Sequence, residues 1–175
     1  MNLDQLHDGF RTALKELTGA PDNFFRVANQ NAPVGESAYA SVFFSTLQHT
    51  GQDTHEFVPI INTDQITEIV IGQRILNVSV QYFGANAVYN ASRLKTLLTI
   101  GKASTKLKTI GLGFIKSSQV RDLSVPVDTY FEPRGQIDLE FHLIAKETDV
   151  VETYGTFPIE METENILTNS EVYEP

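Results

Sequence analysis

The stretch ITEIVIGQRILNVSVQYF, Ile66–Phe83, carries the clearest structural signal in the chain. From Leu76 onward its side chains alternate between apolar and polar, which is the period of two expected of a strand with one buried face. Gly72 interrupts the first half and predicts either a β-bulge or a turn between two strands. Gly84 ends the run.

Helices are predicted on both sides of this β segment. Upstream, apolar residues recur at spacings of three or four between Leu3 and Leu17, which is typical of an amphipathic helix. Downstream, the same spacing runs from Ala87 to Ile100, with Asn86 as the expected N-terminal cap. A short helical turn is expected over Ser104–Ile110.

Further strands are predicted at Phe24–Ala28, Tyr39–Leu47 and Gln136–Ala145. The intervening HTGQDTHEFVPIINTD, residues 49–64, is mostly polar and is expected to form a connection. The resulting order of helix, strands, helix, strands indicates an α+β fold. We expect a mostly antiparallel mixed sheet, flanked by an N-terminal helix and a central helix.

Composition limits the class of protein. A chain of 175 residues fits one domain, which we place at residues 1–159, with an acidic extension over residues 160–175. The absence of cysteine excludes disulfides and thiolate chemistry. No apolar run reaches about 18 residues, and the N-terminus lacks the pattern of a signal peptide, so neither membrane insertion nor secretion by this route is expected.

Charge is distributed unevenly along the chain. The formal net charge is −9, yet residues 69–121 contain eight basic residues and no acidic one. Residues 1–68 have a net charge of −6, and residues 122–175 have a net charge of −11. Such segregation indicates interaction surfaces rather than a particular fold.

The sequence offers little for catalysis or metal binding. His49, Asp53, His55 and Glu56 share one polar segment, but their spacing matches no usual zinc pattern, so a solvated loop is favoured. His142 is expected to face a cross-strand carboxylate. Asp138 and Glu140 have the i, i+2 spacing of a wetted sheet face, which we favour over a hydrolase dyad, although that alternative stays open. We expect no enzyme activity and no cofactor.

The basic segment has two interpretations. It either neutralises nucleic-acid phosphates as a DNA-binding module or meets an acidic surface of another copy in a head-to-tail ring. We favour the second because the protein is acidic overall. The candidate basic residues are Arg93, Lys95, Lys102, Lys106, Lys108, Lys116 and Arg121. The candidate acidic residues are Asp138, Glu140, Glu160, Glu162 and Glu164.

Four motifs occur in one order: NQNAP (Asn29–Pro33), VSVQYFGANA (Val78–Ala87), VRDLS (Val120–Ser124) and EPRGQIDLEF (Glu132–Phe141). With them the chain resembles the neck or tail-terminator proteins of tailed bacteriophages over about residues 3 to 145. The motif positions are Asn29, Asn31, Pro33, Phe83, Gly84, Asp122 and Arg134.

The resemblance implies a structural virion protein at the tail–neck junction, assembled in the bacterial cytoplasm. It implies a hexameric ring that caps the tail tube, ends tail growth and offers the surface for joining the head. Expected partners are further copies, the tube protein, connector proteins and, as a further candidate, the sheath. Genomic DNA would pass an acidic channel without sequence-specific binding, and no membrane is involved. Another neck, head-completion or baseplate component is the alternative within this class.

Overall fold

The computed structural model describes residues 3–28, 38–61, 63, 65–127 and 130–152. The described residues form three helices, α1 (Leu3–Thr18), α2 (Ala87–Leu98) and α3 (Gly101–Thr109). Their strands are β1 (Phe25–Val27), β2 (Tyr39–Pro59), β3 (Gln65–Phe83), β4 (Leu112–Ser117), β5 (Arg121–Asp122), β6 (Val125–Val127), β7 (Tyr130–Glu132) and β8 (Arg134–Glu152).

One mixed sheet organises the described residues, with the strand order β1-β2-β3-β8-β4. β5 also pairs with β8, and β6 and β7 form a separate two-stranded ribbon. Only the short β1–β2 pair of the main sheet is parallel, and the other pairs are antiparallel. The predicted α+β fold with a mostly antiparallel sheet, an N-terminal helix and a central helix is therefore confirmed.

The hydrophobic core lies between the sheet and the helices. Val78 and Val80 of β3 are buried together with their β8 partners, as the alternation predicts. Phe10 of α1 packs edge-on against Phe141, with ring centroids 5.2 Å apart, and Leu94 of α2 is fully buried. Because an amphipathic helix must bury its apolar face against another element, this helix-on-sheet arrangement follows from the two periodicities.

The prediction of a connection over residues 49–64 is wrong for most of its length. β2 continues to Pro59 and pairs with β3 as far as Ile66. Gly72 forms neither a bulge nor a turn, since β3 runs through it with unbroken pairing to β8. The irregularity lies opposite, on β2, where the register shifts between Thr50 and Thr54.

Two details of the central helices also differ from expectation. Asn86 precedes α2 in the left-handed region at φ 62°, and its side chain makes no capping hydrogen bond. Val88 is exposed, whereas Ala87 is buried. The buried face of α2 therefore begins at Ala87. In the described part of the chain, no helix combines the length and hydrophobicity that a membrane crossing requires.

Candidate assembly surfaces

Three long strands project beyond the rest of the sheet. The pairing of β1 with β2 ends at Val42, and the pairing of β4 with β8 ends at Leu143. Beyond these points β2, β3 and β8 continue together, joined only to one another in the described residues. We call this three-stranded part, residues 50–59, 65–73 and 144–152, the distal arm.

The distal arm differs from the body in the composition of both sheet faces. Directly paired residues share a face, so the register assigns each side chain to the helix side or to the opposite, outer face. In the body, the helix side is apolar, and the outer face has the polar Ser79 and Gln81 beside the exposed Phe43. In the arm the helix side gains Glu68, Glu147 and Asp149 and also has the apolar Phe57, Val70 and Val151. The outer face of the arm combines Glu56, Lys146 and Glu152 with the apolar residues Val58, Ile69, Ile71, Ile144 and Val150.

An ion pair marks the boundary between the body and the arm. Arg74 is only 8% exposed, and its two terminal nitrogens donate to the two carboxylate oxygens of Asp53 at 2.7 Å each. The bulge in β2 places Asp53 within reach, and Gly72 leaves the space that the pair occupies, because a Cβ there would collide with both side chains. The hydrogen bonds from Arg74 hold the pKa of Asp53 below its usual value.

The predicted basic residues of α2 and α3 lie on two consecutive helices, neither of which contains a carboxylate. We call Arg93, Lys95, Lys102, Lys106 and Lys108, which are all at least partly exposed, the basic helical surface. Lys106 pairs with Glu16 of α1, and the Lys95 ammonium donates to the Ser118 carbonyl at 3.1 Å. Exposed apolar side chains lie on the same two helices and their junction: Val88, Tyr89 and Ile100.

The other predicted charged residues meet one another within the chain. Lys116 pairs with Glu140 at 3.1 Å, and Arg121 pairs with Asp138. Gln136 also donates its side-chain N–H to Asp138 at 2.9 Å. These contacts bring predicted basic and acidic residues together in one subunit, and their role between subunits stays a prediction. Glu160, Glu162 and Glu164 lie outside the described residues.

The motif positions that the structure describes gather at the end of the sheet away from the arm. Tyr39, Phe83 and Arg134 are direct cross-strand partners in one row. The Tyr39 and Phe83 rings stack with centroids 4.6 Å apart, the Arg134 guanidinium lies 5.3 Å from the Phe83 ring, and that of Arg26 lies 4.8 Å from the Tyr39 ring. Two cations thus enclose an aromatic stack.

Backbone contacts complete this motif cluster. The Gly84 N–H donates to the Pro133 carbonyl at 3.0 Å. The Asp122 carboxylate accepts a hydrogen bond from the Ser124 backbone N–H at 2.9 Å, and its hydrogen bonds from Ser124 lower its pKa. Asn29, Asn31 and Pro33 lie outside the described residues.

A sequence model of the family described as Phage neck terminator protein matches residues 4–166. The chain belongs to this family. No curated protein matches it. Membership makes the chain a structural protein of the phage neck and implies a location in the virion. The motif residues Phe83, Gly84, Asp122 and Arg134 make structural contacts, which is consistent with that role. Membership of a neck family also implies that the chain contacts other tail or neck proteins of the phage.

The histidines of this neck protein have structural contacts. His55 lies 2.7 Å from the Glu68 carboxylate, and Asp53 of the suspected metal group is held by Arg74. Among the described residues, no three His, Asp or Glu side chains are grouped to hold a metal ion. The partner predicted for His142 was wrong: its ring nitrogen lies 3.3 Å from the amide oxygen of Gln73 instead of a carboxylate.

Sequence reasoning missed the distal arm. The polar segment of residues 49–64 concealed the second half of β2, because it lacks the apolar face from which a strand is recognised. The sequence offered little signal for the arm. From Leu76 to Val80 the apolar residues of β3 hold even positions, whereas between Ile66 and Ile71 they hold both odd and even positions. This loss of alternation gives no single buried face for the first half of the strand.

Proposed function

We propose that this neck protein assembles into a hexameric ring that caps the tail tube, terminates tail assembly and provides the head-joining surface. The observation that carries the proposal is the basic helical surface on a subunit whose net charge is −9. Complementary surfaces on one chain suit head-to-tail contacts between identical copies, and such contacts close into rings. Membership of the phage neck family supports a position of this proposed ring at the tail–neck junction.

The tail tube protein is the proposed neighbour on one side of the ring, and connector proteins are proposed on the other. The sheath is a further candidate partner. The genome passes through the centre without sequence-specific binding, because carboxylates at the channel would repel DNA phosphates. Asp138 and Glu140, on the outer face of the sheet, and the acidic residues 160–175 are the candidates for this lining. A ring structure with a neutral or basic channel would contradict this part of the proposal.

Native mass spectrometry of the purified protein tests the ring, first alone and then with tube protein. We expect a single species of six copies, formed either alone or on the ends of tubes. Electron microscopy of tubes grown with and without the protein then tests termination, since a cap should yield tubes of limited length. A chain that stays monomeric in both conditions contradicts the proposal.

A DNA-binding module is the second candidate, and the basic helical surface is its basis. The two functions differ in the response of a labelled duplex. A phosphate-binding module shifts the duplex strongly and loses affinity steeply as salt increases. The ring proposal expects no stable complex at physiological salt.

A further inference from the structure

The outer face of the distal arm is an apolar surface that the described residues leave uncovered. Val58, Ile144 and Val150 are 48%, 60% and 52% exposed, and Ile69 and Ile71 lie between them in the register. Grouped apolar side chains of this kind on a soluble protein mark an interaction surface. The outer face of the body, in contrast, has the polar Ser79 and Gln81 alongside the exposed Phe43.

The arm is also the acidic part of the sheet. It contains six carboxylates and one basic residue, Lys146. The carboxylates are Asp53, Glu56, Glu68, Glu147, Asp149 and Glu152. Glu56, Glu152 and Lys146 share the outer face with the apolar residues. The basic helical surface has the opposite charge and its own exposed apolar side chains, Tyr89 and Ile100.

A chain cannot satisfy both surfaces by itself. α1, α2 and α3 pack on one side of the sheet, where they bury Leu76 and Phe141, and the apolar residues of the arm face the other side. The arm is a direct continuation of β3 and β8 and therefore cannot place its outer face on its own helices. A second copy can offer those helices.

We propose that the outer face of the distal arm docks on the basic helical surface of the next copy. This inference rests on the proposed ring and names its subunit contact. Val150 and Ile144 lie against Tyr89 and Ile100 of the neighbour, and Glu56 and Glu152 face its lysines. The contact is heterologous, because it joins two different surfaces, and repeats around a ring.

Neighbouring valines on opposite faces provide a matched test. Val150 and Val151 are adjacent in β8, but the register places Val150 on the outer face and Val151 on the helix side. Val150→Glu buries a carboxylate in the apolar contact, so the association of subunits should weaken at least about tenfold. Val151→Glu should assemble like the wild type. Circular dichroism of both variants checks that each folds.

Charge reversal with rescue tests the second half of the contact. Lys102→Glu with Lys108→Glu should weaken association, measured by analytical ultracentrifugation, and Lys106 is spared because it pairs with Glu16. Adding Glu56→Lys and Glu152→Lys to the same chain should restore part of the loss. Reversals that have no effect, or that the arm variants fail to rescue, contradict the proposed pairing of charges.

Cross-linking locates the contact directly, because the chain has no cysteine of its own. A Val150→Cys chain is mixed with a Ser104→Cys chain, whose substitution lies on the exposed side of α3. A short bismaleimide should join the two chains in the mixture, with Val151→Cys as the weaker control. A wild type that never associates contradicts the ring and the contact together. Rings that tolerate Val150→Glu and show equal cross-linking at both valines overturn only the contact.

Discussion

The pair of Arg74 and Asp53 depends on the one residue between them that has no side chain. The guanidinium lies over Gly72 and donates two hydrogen bonds of 2.7 Å to the carboxylate. Bidentate geometry fixes both side chains in one arrangement. Since Asp53 belongs to the bulge of β2 and Arg74 to β3, the pair joins these strands where the helices no longer cover them.

Gly72→Ala should therefore destabilise the protein. The added Cβ would collide with Arg74 and Asp53, so the pair must separate or shift. Because the colliding atoms are the ends of side chains that can move, we expect the melting temperature to fall only modestly, by about 2 to 4 °C. Gly113→Ala is the control, since its Cβ would meet ordinary contacts at 3.7 Å from the His142 carbonyl oxygen. Equal melting temperatures for the two variants would contradict the role of Gly72.

His7 should make the stability depend on pH near neutrality. Burial and the nearby Arg11 lower the pKa of His7 from 6.5, and its ring lies 4.5 Å from that of Phe44. Because the folded state disfavours the proton, this contribution to the free energy of unfolding is complete above pH 6.5. It is lost as the pH falls through the lower folded pKa.

The prediction is tested with His7→Gln, which cannot take up the proton. Its urea-unfolding free energy should fall less than that of the wild type between about pH 7 and about pH 5. An NMR titration of the wild type should find the His7 pKa below 6.5. Parallel pH profiles for both proteins would show that His7 has no such effect.

Tyr82 should behave in the opposite direction, at high pH. Its hydroxyl is buried without a hydrogen-bond partner among the described residues, and burial raises its pKa. The unfolded state therefore ionises first, and stability falls as the pH rises above 10. Tyr82→Phe removes this loss and an unsatisfied polar group, so its stability at neutral pH should equal or exceed the wild-type value, by up to about 1 kcal/mol. Denaturation at about pH 8 and about pH 11 provides the measurement.

At the scale of elements, α2 is seated on β8 by a close backbone approach. A Cβ at Gly135 would lie 2.8 Å from the Ala87 carbonyl group, and Ala87 begins the helix. The neighbouring Arg134 belongs to the motif cluster, so the same contact positions that cluster against the helix. Interatomic distances this short cannot be relieved by a side-chain rotation.

Gly135→Ala should accordingly force α2 away from β8. We expect a loss of stability larger than that of Gly113→Ala, together with weaker protection of the α2 amides in hydrogen exchange. The exchange pattern distinguishes a displaced helix from general destabilisation. Unchanged α2 protection in the variant would mean that the helix does not depend on this approach.

Elements with one buried face are readable from the sequence. Burial imposes a period, and so α1, α2 and the proximal parts of β3 and β8 were predicted close to their observed bounds. The second half of β2 has no buried residue, so its polar sequence gave no period to detect. Its strand conformation comes from pairing with β3, which is a contact between distant residues. The contacts between Tyr39, Phe83 and Arg134 likewise depend on the pairing register of β2, β3 and β8, which the sequence pattern does not reveal.

At the scale of the whole molecule, the proposed contact joins an acidic arm to a basic surface, and its strength should depend on salt. We expect subunit association to weaken between about 50 mM and about 500 mM NaCl, because ions screen exposed charges. The apolar part of the contact should leave measurable association at the higher concentration. Ultracentrifugation of the wild type, with the charge-neutral Lys102→Gln/Lys108→Gln as the less salt-sensitive control, measures both effects. Association that is independent of salt in both proteins would contradict an electrostatic contribution.

Charge segregation was visible in the sequence, but its geometry was not. The bases of α2 and α3 lie on two consecutive helices that contain no carboxylate, as the linear charge pattern suggests. Lys116 and Arg121, in contrast, reach Glu140 and Asp138 because β4 and β5 pair with β8. The order of charges along the sequence does not predict these ion pairs, because they depend on which strands become neighbours in the sheet.

The position of β8 has a consequence for the order of events at the ribosome. β8 lies between β3 and β4 in the sheet, yet it is the last described strand in the chain. Until it is synthesised, β3 has an open edge, and β4 and β5 lack the partner to which they are joined. A nascent chain can therefore form the β2–β3 hairpin and the helices early, but the sheet closes only after β8 has been synthesised.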